Sequence, residues 1–280
     1  MSAFCDLHTH SVFSDGTCTP EEIVDAAVGM GLTAVALCDH NTVAGLPDFL
    51  RAAEGKDILA VPAMELSTQY GEKELHIVGL FIPPERFGRV TVFLEEINGR
   101  KERSNRALVE ALNEGGYPLD YEAIKAATPN GHINRAHIAS EMVKRGHVGS
   151  IKEAFQGLLS PEGEYYRPPE RLDAFEGIAF LRSIGAVPVL AHPFLDLDEE
   201  RLRRFLPEAK KHGLLGMETR YSLFSPQTTA LAQRLAEEFG LKPSGGSDFH
   251  GANKPDIRLG TGRGDLQVPA RYAEELKQLA

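Results

Sequence analysis

Short apolar runs recur along the chain, and most stop at an ionisable residue. Phe4 to Leu7 leads into His8, and Ala34 to Leu37 leads into Asp39-His40. Ile58 to Val61 leads through Pro62 towards Glu65, and Leu75 to Val78 carries His76 within it. Val187 to Ala191 leads into His192-Pro193, Leu214 to Met217 into Glu218, and Lys242 to Ser247 into Asp248. Each run has the length of a buried strand. Helical patterns lie between many of them. Thr19 is a candidate N-cap before Pro20-Glu21-Glu22, with Ile23, Val24, Ala27 and Met30 on one face and Gly31 as the stop. Asp198 to His212 and Pro226 to Phe239 read the same way, each followed by glycine. Strands alternating with helices predict a parallel sheet or barrel.

The rhythm breaks between about Val90 and Pro169. Helical stretches (Arg100 to Asn113, Arg135 to Arg145, Ser150 to Gln156) replace the strand pattern there. The expected organisation is a barrel part over 1–95, a helical insertion or cap over 96–168, a second barrel part over 169–280, and a closing helix from Pro269 to Leu279.

Composition narrows the partners. The 280 residues are 42% hydrophobic and 25% charged, an ordinary globular balance. No run is long enough to cross a bilayer. Met1 to Asp6 lacks the basic flank of a signal peptide, so a soluble, cytoplasmic protein is expected, with no membrane partner. The net charge of −10 gives no basic footprint for duplex nucleic acid. The three cysteines show no zinc-type spacing, and Cys5 and Cys38 sit in apolar runs as small buried hydrophobes. P-loop, dinucleotide-fold and nucleophile-elbow signatures are absent. Nothing in the sequence sets an oligomeric state.

Metal-ligand chemistry is where the pattern concentrates. His8-Thr9-His10 sits at a strand end, where positions i and i+2 share a face. Asp15 follows in a loop, His40 and Glu65 follow the second and third runs, and His76 and His192 belong to the fourth and fifth. Asp248-Phe249-His250 supplies another i, i+2 pair. Each residue alone has a bland reading: Asp15-Gly16 as a turn, Glu65 as a cap, His76 as a satisfied strand histidine. Together, six of the ten histidines and three carboxylates fall at or near the ends of predicted strands, where α/β folds place their sites.

The set His8-x-His10, Asp15, Asp39-His40, Glu65, His76, Ala191-His192-Pro193 and Ser247-Asp248-x-His250 resembles the PHP domain, named for polymerase and histidinol phosphatase. The resemblance spans nearly the whole chain. It implies a distorted (β/α)7 barrel, with the helical insertion between strands 4 and 5. The insertion motif Asn134-Arg135-Ala136-His137-Ile138-Ala139 is similar to that of stand-alone phosphoesterases, which commonly carry glycine before the arginine and proline after it. Those enzymes act on nucleoside 3′,5′-bisphosphates, on RNA 5′ ends or on cyclic phosphates.

The resemblance implies three divalent ions. One would be held by His8, His10, Glu65 and Asp248, a second by Glu65, His76 and His192, and a third by Asp15, His40 and His250. Imidazole with carboxylate suits manganese first, with iron(II) or zinc as alternatives. Three such ions against three ligand carboxylates leave a positive pocket suited to phosphate. Two ions sharing a water would lower its pKa towards neutrality, giving a hydroxide for in-line attack on phosphorus. Glu65, Asp248, His192 and His250 are the candidate catalytic residues, and Asp39 is expected to orient an imidazole. Arg135 and His137, at a helix start, are the candidate substrate-binding residues, with His132 and Lys144 behind them. The basic run Arg100-Lys101-Glu102-Arg103 with Arg106 reads as a solvated face or as a greeting for a second phosphate. His147 and His212 read as structural.

The expected function is therefore hydrolysis of a small phosphate ester. The favoured substrate is the phosphomonoester of a nucleoside 3′,5′-bisphosphate or a short 5′-phosphorylated oligonucleotide. The alternatives are a cyclic phosphodiesterase acting on a cyclic nucleotide or sugar phosphate, and a noncatalytic metal-binding accessory domain.

Overall fold

The computed structural model describes residues 3–128, 133 and 135–280. His132 and Asn134, named above, lie outside the described residues. The chain divides into two compact units: Met1–Leu94 with Leu172–Ala280, and Glu95–Arg171.

All seven strand-length runs of the first unit become strands, and two more join them. Strands β1 (Phe4–Thr9), β2 (Ala34–Leu37) and β3 (Leu59–Pro62) pair in parallel. A short last strand, β9 (Val268–Pro269), runs antiparallel to β1, giving the order β3-β2-β1-β9. The second sheet has the order β4-β5-β6-β7-β8, formed by Met64–Tyr70, Lys73–Leu80, Val187–Leu190, Gly216–Tyr221 and Lys242–Gly246.

This mixed α/β architecture differs from the expected run of parallel strands. β4 and β5 form an antiparallel hairpin, and β5 is also antiparallel to β6. The cause is local. Tyr70 pairs with Lys73 across a two-residue turn whose first position is Gly71, at φ +59°. Glycine with positive φ at that position gives a twist that matches flanking strands. Residues 64–70 thus form a strand of their own rather than a loop after the third run.

The two sheets meet where β1 and β2 end. Thr9 bridges Phe249, and His40 bridges Glu65. The His10 N–H donates to the Phe249 carbonyl at 2.9 Å, and the Asp248 N–H to the His8 carbonyl at 2.8 Å. Gly246 makes this approach possible: a Cβ there would lie 2.3 Å from the His8 Cβ, so only hydrogen fits.

Apolar side chains from both sheets share one core, including Cys5, Leu7, Ala36, Cys38, Val61, Val78, Leu80, Val187, Val189 and Val268. Each buried aliphatic side chain contributes about 1.5–3 kcal/mol. Cys5 and Cys38 are buried in it as expected, and burial pushes the Cys5 thiol up to about 12. Helices pack their apolar stripes on the sheets. Helix α1 (Pro20–Gly29) starts with a full capping box, Glu22 N–H to Thr19 Oγ1 and Thr19 N–H to Glu22 Oε2. It buries Ile23, Val24 and Ala27, while Met30 lies beyond its end and is exposed. The unit also holds α2 (Leu46–Ala53), α7 (Ala174–Ser183), α8 (Glu199–Lys211), α9 (Pro226–Glu238) and α10 (Arg271–Lys277).

Helix α3 (Phe87–Glu114) contains the division point. The second unit continues with α4 (Tyr121–Ala127), α5 (Arg135–Lys144) and α6 (Ile151–Gln156), and its described residues form no strand. Its own core gathers Leu108, Leu112, Ile124, Ile138, Met142 and Leu159. No helix among the described residues is long and apolar enough to cross a membrane.

Candidate metal centre

Glu65, at the start of β4, is 1% exposed and ringed by imidazoles. Its Oε2 lies 3.3 Å from His8 Nε2, 3.4 Å from His10 Nε2 and 3.1 Å from His40 Nδ1. Its Oε1 lies 3.0 Å from His76 Nδ1 and 3.1 Å from His192 Nε2. Four elements converge here: the end of β1, the bridge after β2, the middle of β5, and the turn after β6. His76 therefore enters from mid-strand, opposite Ser67 on β4, because β5 runs antiparallel.

Asp248 and Asp15 extend the cluster. Asp248 Oδ1 lies 3.3 Å from His10 Nε2 and 3.9 Å from His8 Nε2. Asp15 Oδ1 lies 3.2 Å from His250 Nε2 and 3.8 Å from His10 Nδ1, with Oδ2 3.7 Å from His40 Nε2. Every residue expected as a metal ligand is brought to this one place.

The donor atoms fall into three overlapping groups that could each hold an ion: His8, His10 and Glu65; His10, Asp15, His40 and His250; and His40, Glu65 and His76, all within 4.8 Å in each group. His10, His40 and Glu65 each belong to two groups. The second group adds His10 to the expected Asp15, His40 and His250. In the third, His40 stands where the resemblance implied His192, which instead hydrogen-bonds Glu65 Oε1 through Nε2.

These groups fit divalent cations on two counts. Ligands about 2.1 Å from a metal stand about 3.0 Å apart along an octahedral edge and about 3.4 Å along a tetrahedral one. The five Glu65–imidazole distances, 3.0 to 3.4 Å, span that interval. Several of these atoms also lack hydrogen-bond alignment. Among the described residues, the buried side-chain nitrogen and oxygen atoms without a hydrogen-bond partner are His8 Nε2, both nitrogens of His10, Nδ1 of His40, His76 and His192, Glu65 Oε2, and Arg220 Nε. All but the last are in this cluster. An orphaned buried polar group costs about 1–3 kcal/mol, so such a concentration needs a ligand to justify it.

Electrostatics point the same way. Burial opposes charge on His8, but the Glu65 and Glu218 carboxylates outweigh it and hold the ring well above the usual histidine range. Burial would raise Glu65; His8, His192 and His76 overcome it and hold the carboxyl well below its ordinary range. His76 is pushed up to about 10 against burial by Glu65 and Glu74. His10 goes the other way, to about 4, chiefly through burial.

A supporting layer holds the ligands, and sequence reasoning assigned none of it. Glu218 on β7 accepts from His8 Nδ1 at 2.8 Å and from the His192 N–H at 2.7 Å. The bond to His8 fixes the ring with Nε2 facing Glu65 and would keep a proton on Nδ1 when a cation takes Nε2. His250 Nδ1 donates to the Asp248 carbonyl at 2.9 Å, which leaves Nε2 facing Asp15. Asp248 Oδ2 accepts from the Tyr221 hydroxyl at 2.8 Å and from Lys254 Nζ at 2.7 Å, directing Oδ1 to the imidazoles. Asp6, fully buried, accepts from the Ser247 N–H and hydroxyl and so fixes the turn into Asp248. The backbone is strained here: His192 has φ 25° and Asp248 φ 58°, conformations that cost non-glycine residues about 1–3 kcal/mol each.

Asp39 corrects an expectation. It accepts from the Ser11 N–H (2.7 Å), the Ser11 hydroxyl (2.6 Å) and the Ser14 hydroxyl (2.7 Å), so it shapes the loop that presents Asp15 rather than orienting an imidazole.

Arg135 and His137 open α5 in the second unit. The Arg135 guanidinium lies 4.2 Å over the Tyr166 ring and donates through Nη1 to the Leu159 carbonyl at 3.1 Å. Lys144 lies 3.5 Å from Glu141. In the basic run, Arg106 pairs with Glu122 at 2.9 Å, which favours the solvated-face reading. His147 and His212 contact backbone carbonyls, of Pro118 and Glu208, as structural residues do.

Comparison with known proteins fits this arrangement. The chain is 31% identical over 251 residues to a 5′-3′ exoribonuclease of Haemophilus influenzae, covering 89% of this chain and 91% of that protein. It is 29% identical to a 3′,5′-nucleoside bisphosphate phosphatase of Chromobacterium violaceum, covering 88% and 86%. A solved structure from Bifidobacterium adolescentis, assigned as a metal-dependent phosphoesterase, superposes with a TM-score of 0.68 at 26% identity, covering 100% of this chain and 97% of that one. The PHP domain model matches residues 6–163, over half the chain, and with the similarity to these relatives this shows that the chain belongs to the PHP domain family.

Proposed function

We propose that the chain is a metal-dependent phosphoesterase that releases phosphate from a nucleoside 3′,5′-bisphosphate or from the 5′ end of a short oligonucleotide. The observation that carries this reading is the buried Glu65 carboxylate, with an imidazole of His8, His10, His40, His76 or His192 within 3.4 Å of each of its oxygens. The relatives named for nucleotide phosphate chemistry support it.

In this reading His8, His10, Glu65 and Asp248 hold one ion, Glu65 with His76 and His192 a second, and Asp15, His40 and His250 a third, with manganese the preferred metal. Divalent ions there supply Lewis acidity and a nucleophile at neutral pH. The chain's own residues do the rest. Glu65 offers one oxygen to each side of the cluster. Asp248 and Asp15 balance part of the positive charge and leave the remainder for the phosphate dianion. His192 hydrogen-bonds Glu65 Oε1 through Nε2 and so holds that carboxylate in place towards the cluster. Arg135 and His137, in the first turn of α5, enter as phosphate contacts of the second unit. The two sheets and their bridges are read as the distorted barrel of the family, with residues 95–171 as its insertion.

The test is an activity screen of the manganese-loaded protein against bisphosphonucleotides, 5′-phosphorylated oligonucleotides, cyclic phosphates and histidinol phosphate, ranked by kcat/KM. The first two classes are expected to lead. A fully metal-loaded protein that hydrolyses none of the four overturns the reading, and a lead for cyclic phosphates redirects it.

A further inference from the structure

Lys254 belongs to a loop that runs on past the metal centre. Beyond it, Ile257 and Leu259 are buried, and Arg258 and Gly262 exchange backbone hydrogen bonds at 2.8 Å in a closed turn. The Gly260 N–H donates to Asp6 Oδ2 at 2.7 Å, and Asp6 is the same carboxylate that fixes Ser247 beside Asp248. The loop is therefore tied to the floor of the metal centre through Asp6 and to its rim through Lys254.

This loop carries a cavity of about 340 Å³ lined by Pro255, Asp256, Arg258 and Arg263. Both arginines are exposed, and among the described residues neither guanidinium has a hydrogen-bond, ion-pair or ring partner. Elsewhere carboxylates take up many of the arginines, as in Arg51–Asp48, Arg145–Glu141 and Arg203–Glu238. In a chain with 40 acidic and 30 basic residues, two unpaired guanidiniums on one small anchored turn mark a place for an anion. Asp256 adds an acceptor, which suits a ligand that carries hydroxyl or amino donors as well as phosphate.

We propose that Arg258 and Arg263 form a second phosphate subsite, binding a phosphate group of the substrate other than the one hydrolysed. The subsite rests on the phosphoesterase reading of the neighbouring centre and sets its preference for substrates with two or more phosphates. Two sources share this chemistry: the second phosphate of a nucleoside bisphosphate, and the next internucleotide phosphate of a strand.

The manganese-loaded wild type and an R258A/R263A variant are compared on p-nitrophenyl phosphate, a nucleoside 3′,5′-bisphosphate and a 5′-phosphorylated oligonucleotide. For the multiply phosphorylated substrates, kcat/KM is expected to fall about 10-fold or more, through KM, with p-nitrophenyl phosphate unchanged and R258K/R263K recovering part of the loss. A loss on both phosphorylated substrates assigns the subsite to the phosphate of the same nucleotide; a loss on the oligonucleotide alone assigns it to the strand. An equal loss on all three substrates, or none on any, overturns the proposal. Wild type inactive on all three instead sinks the phosphoesterase reading. Calorimetric binding of the bisphosphate then still decides the subsite, which stands if the variant binds more weakly and falls if it binds equally.

Discussion

The two units bury polar groups in opposite ways. In residues 95–171 the buried polar side chains are satisfied within the chain. Asn105 donates to the Ile133 carbonyl at 2.9 Å, and the Thr128 hydroxyl donates to the Ile124 carbonyl at 2.8 Å. None of the orphaned buried atoms among the described residues lies in this unit. In the first unit all the orphans but Arg220 Nε crowd around Glu65. The second unit is built to fold; the first is built to fold and then to receive cations, and it carries strain at His192 and Asp248 as part of that arrangement.

Four variants test this contrast, from the largest effect to the smallest. Glu65→Gln removes the charge shared by the imidazole ring, and kcat/KM is expected to fall roughly 10³-fold or more, with bound metal falling in parallel by elemental analysis. Retained metal and turnover would break the comparison. Leu112→Ala, in the second unit's core, is expected to cost about 2–5 kcal/mol by denaturant unfolding while metal per folded molecule stays constant. A loss of metal there would tie the two units together.

Glu218→Gln is expected to weaken metal binding about 10- to 100-fold without removing a ligand. It also has a proton signature. Glu218 helps hold His8 above its usual range, so loading a cation on Nε2 must expel a proton from a largely charged ring. Without that carboxylate the ring titrates lower. Proton release at neutral pH then falls, which calorimetry in buffers of different ionisation enthalpy measures. Unchanged release would remove Glu218 from this role. Thr19→Ala, at the capping box of α1, is expected to cost about 1 kcal/mol and leave metal affinity untouched.

Much of the centre was legible in the sequence, because His8-x-His10 and Asp248-x-His250 are i, i+2 pairs that need only a strand end to converge. The capped helices α1, α8 and α9 were legible for a similar reason, since caps and stops are local. What stayed hidden depends on partners far along the chain. Glu218 closes an apolar run like the other ligand-bearing residues, yet its partner His8 is 210 positions away and only the β7 register brings them together. Asp39 follows a strand as a helper residue would, but the loop from Ser11 to Ser14 captures it first. The strand Met64–Tyr70 escaped because its sequence, MELSTQY, does not look like a buried run, and with it went the hairpin that inverts β5.

The pairing of β9 with β1 has a practical corollary. Phe4 lies opposite Pro269 and Cys5 opposite Val268, so the segment bearing His8 and His10 is stitched at its root to residues contributed near the far terminus. Trimming the protein just before Val268 deletes no ligand, yet it unzips that seam and frees the strand that aims both imidazoles. A truncated product would therefore be expected to lose its cations while keeping the helical unit folded.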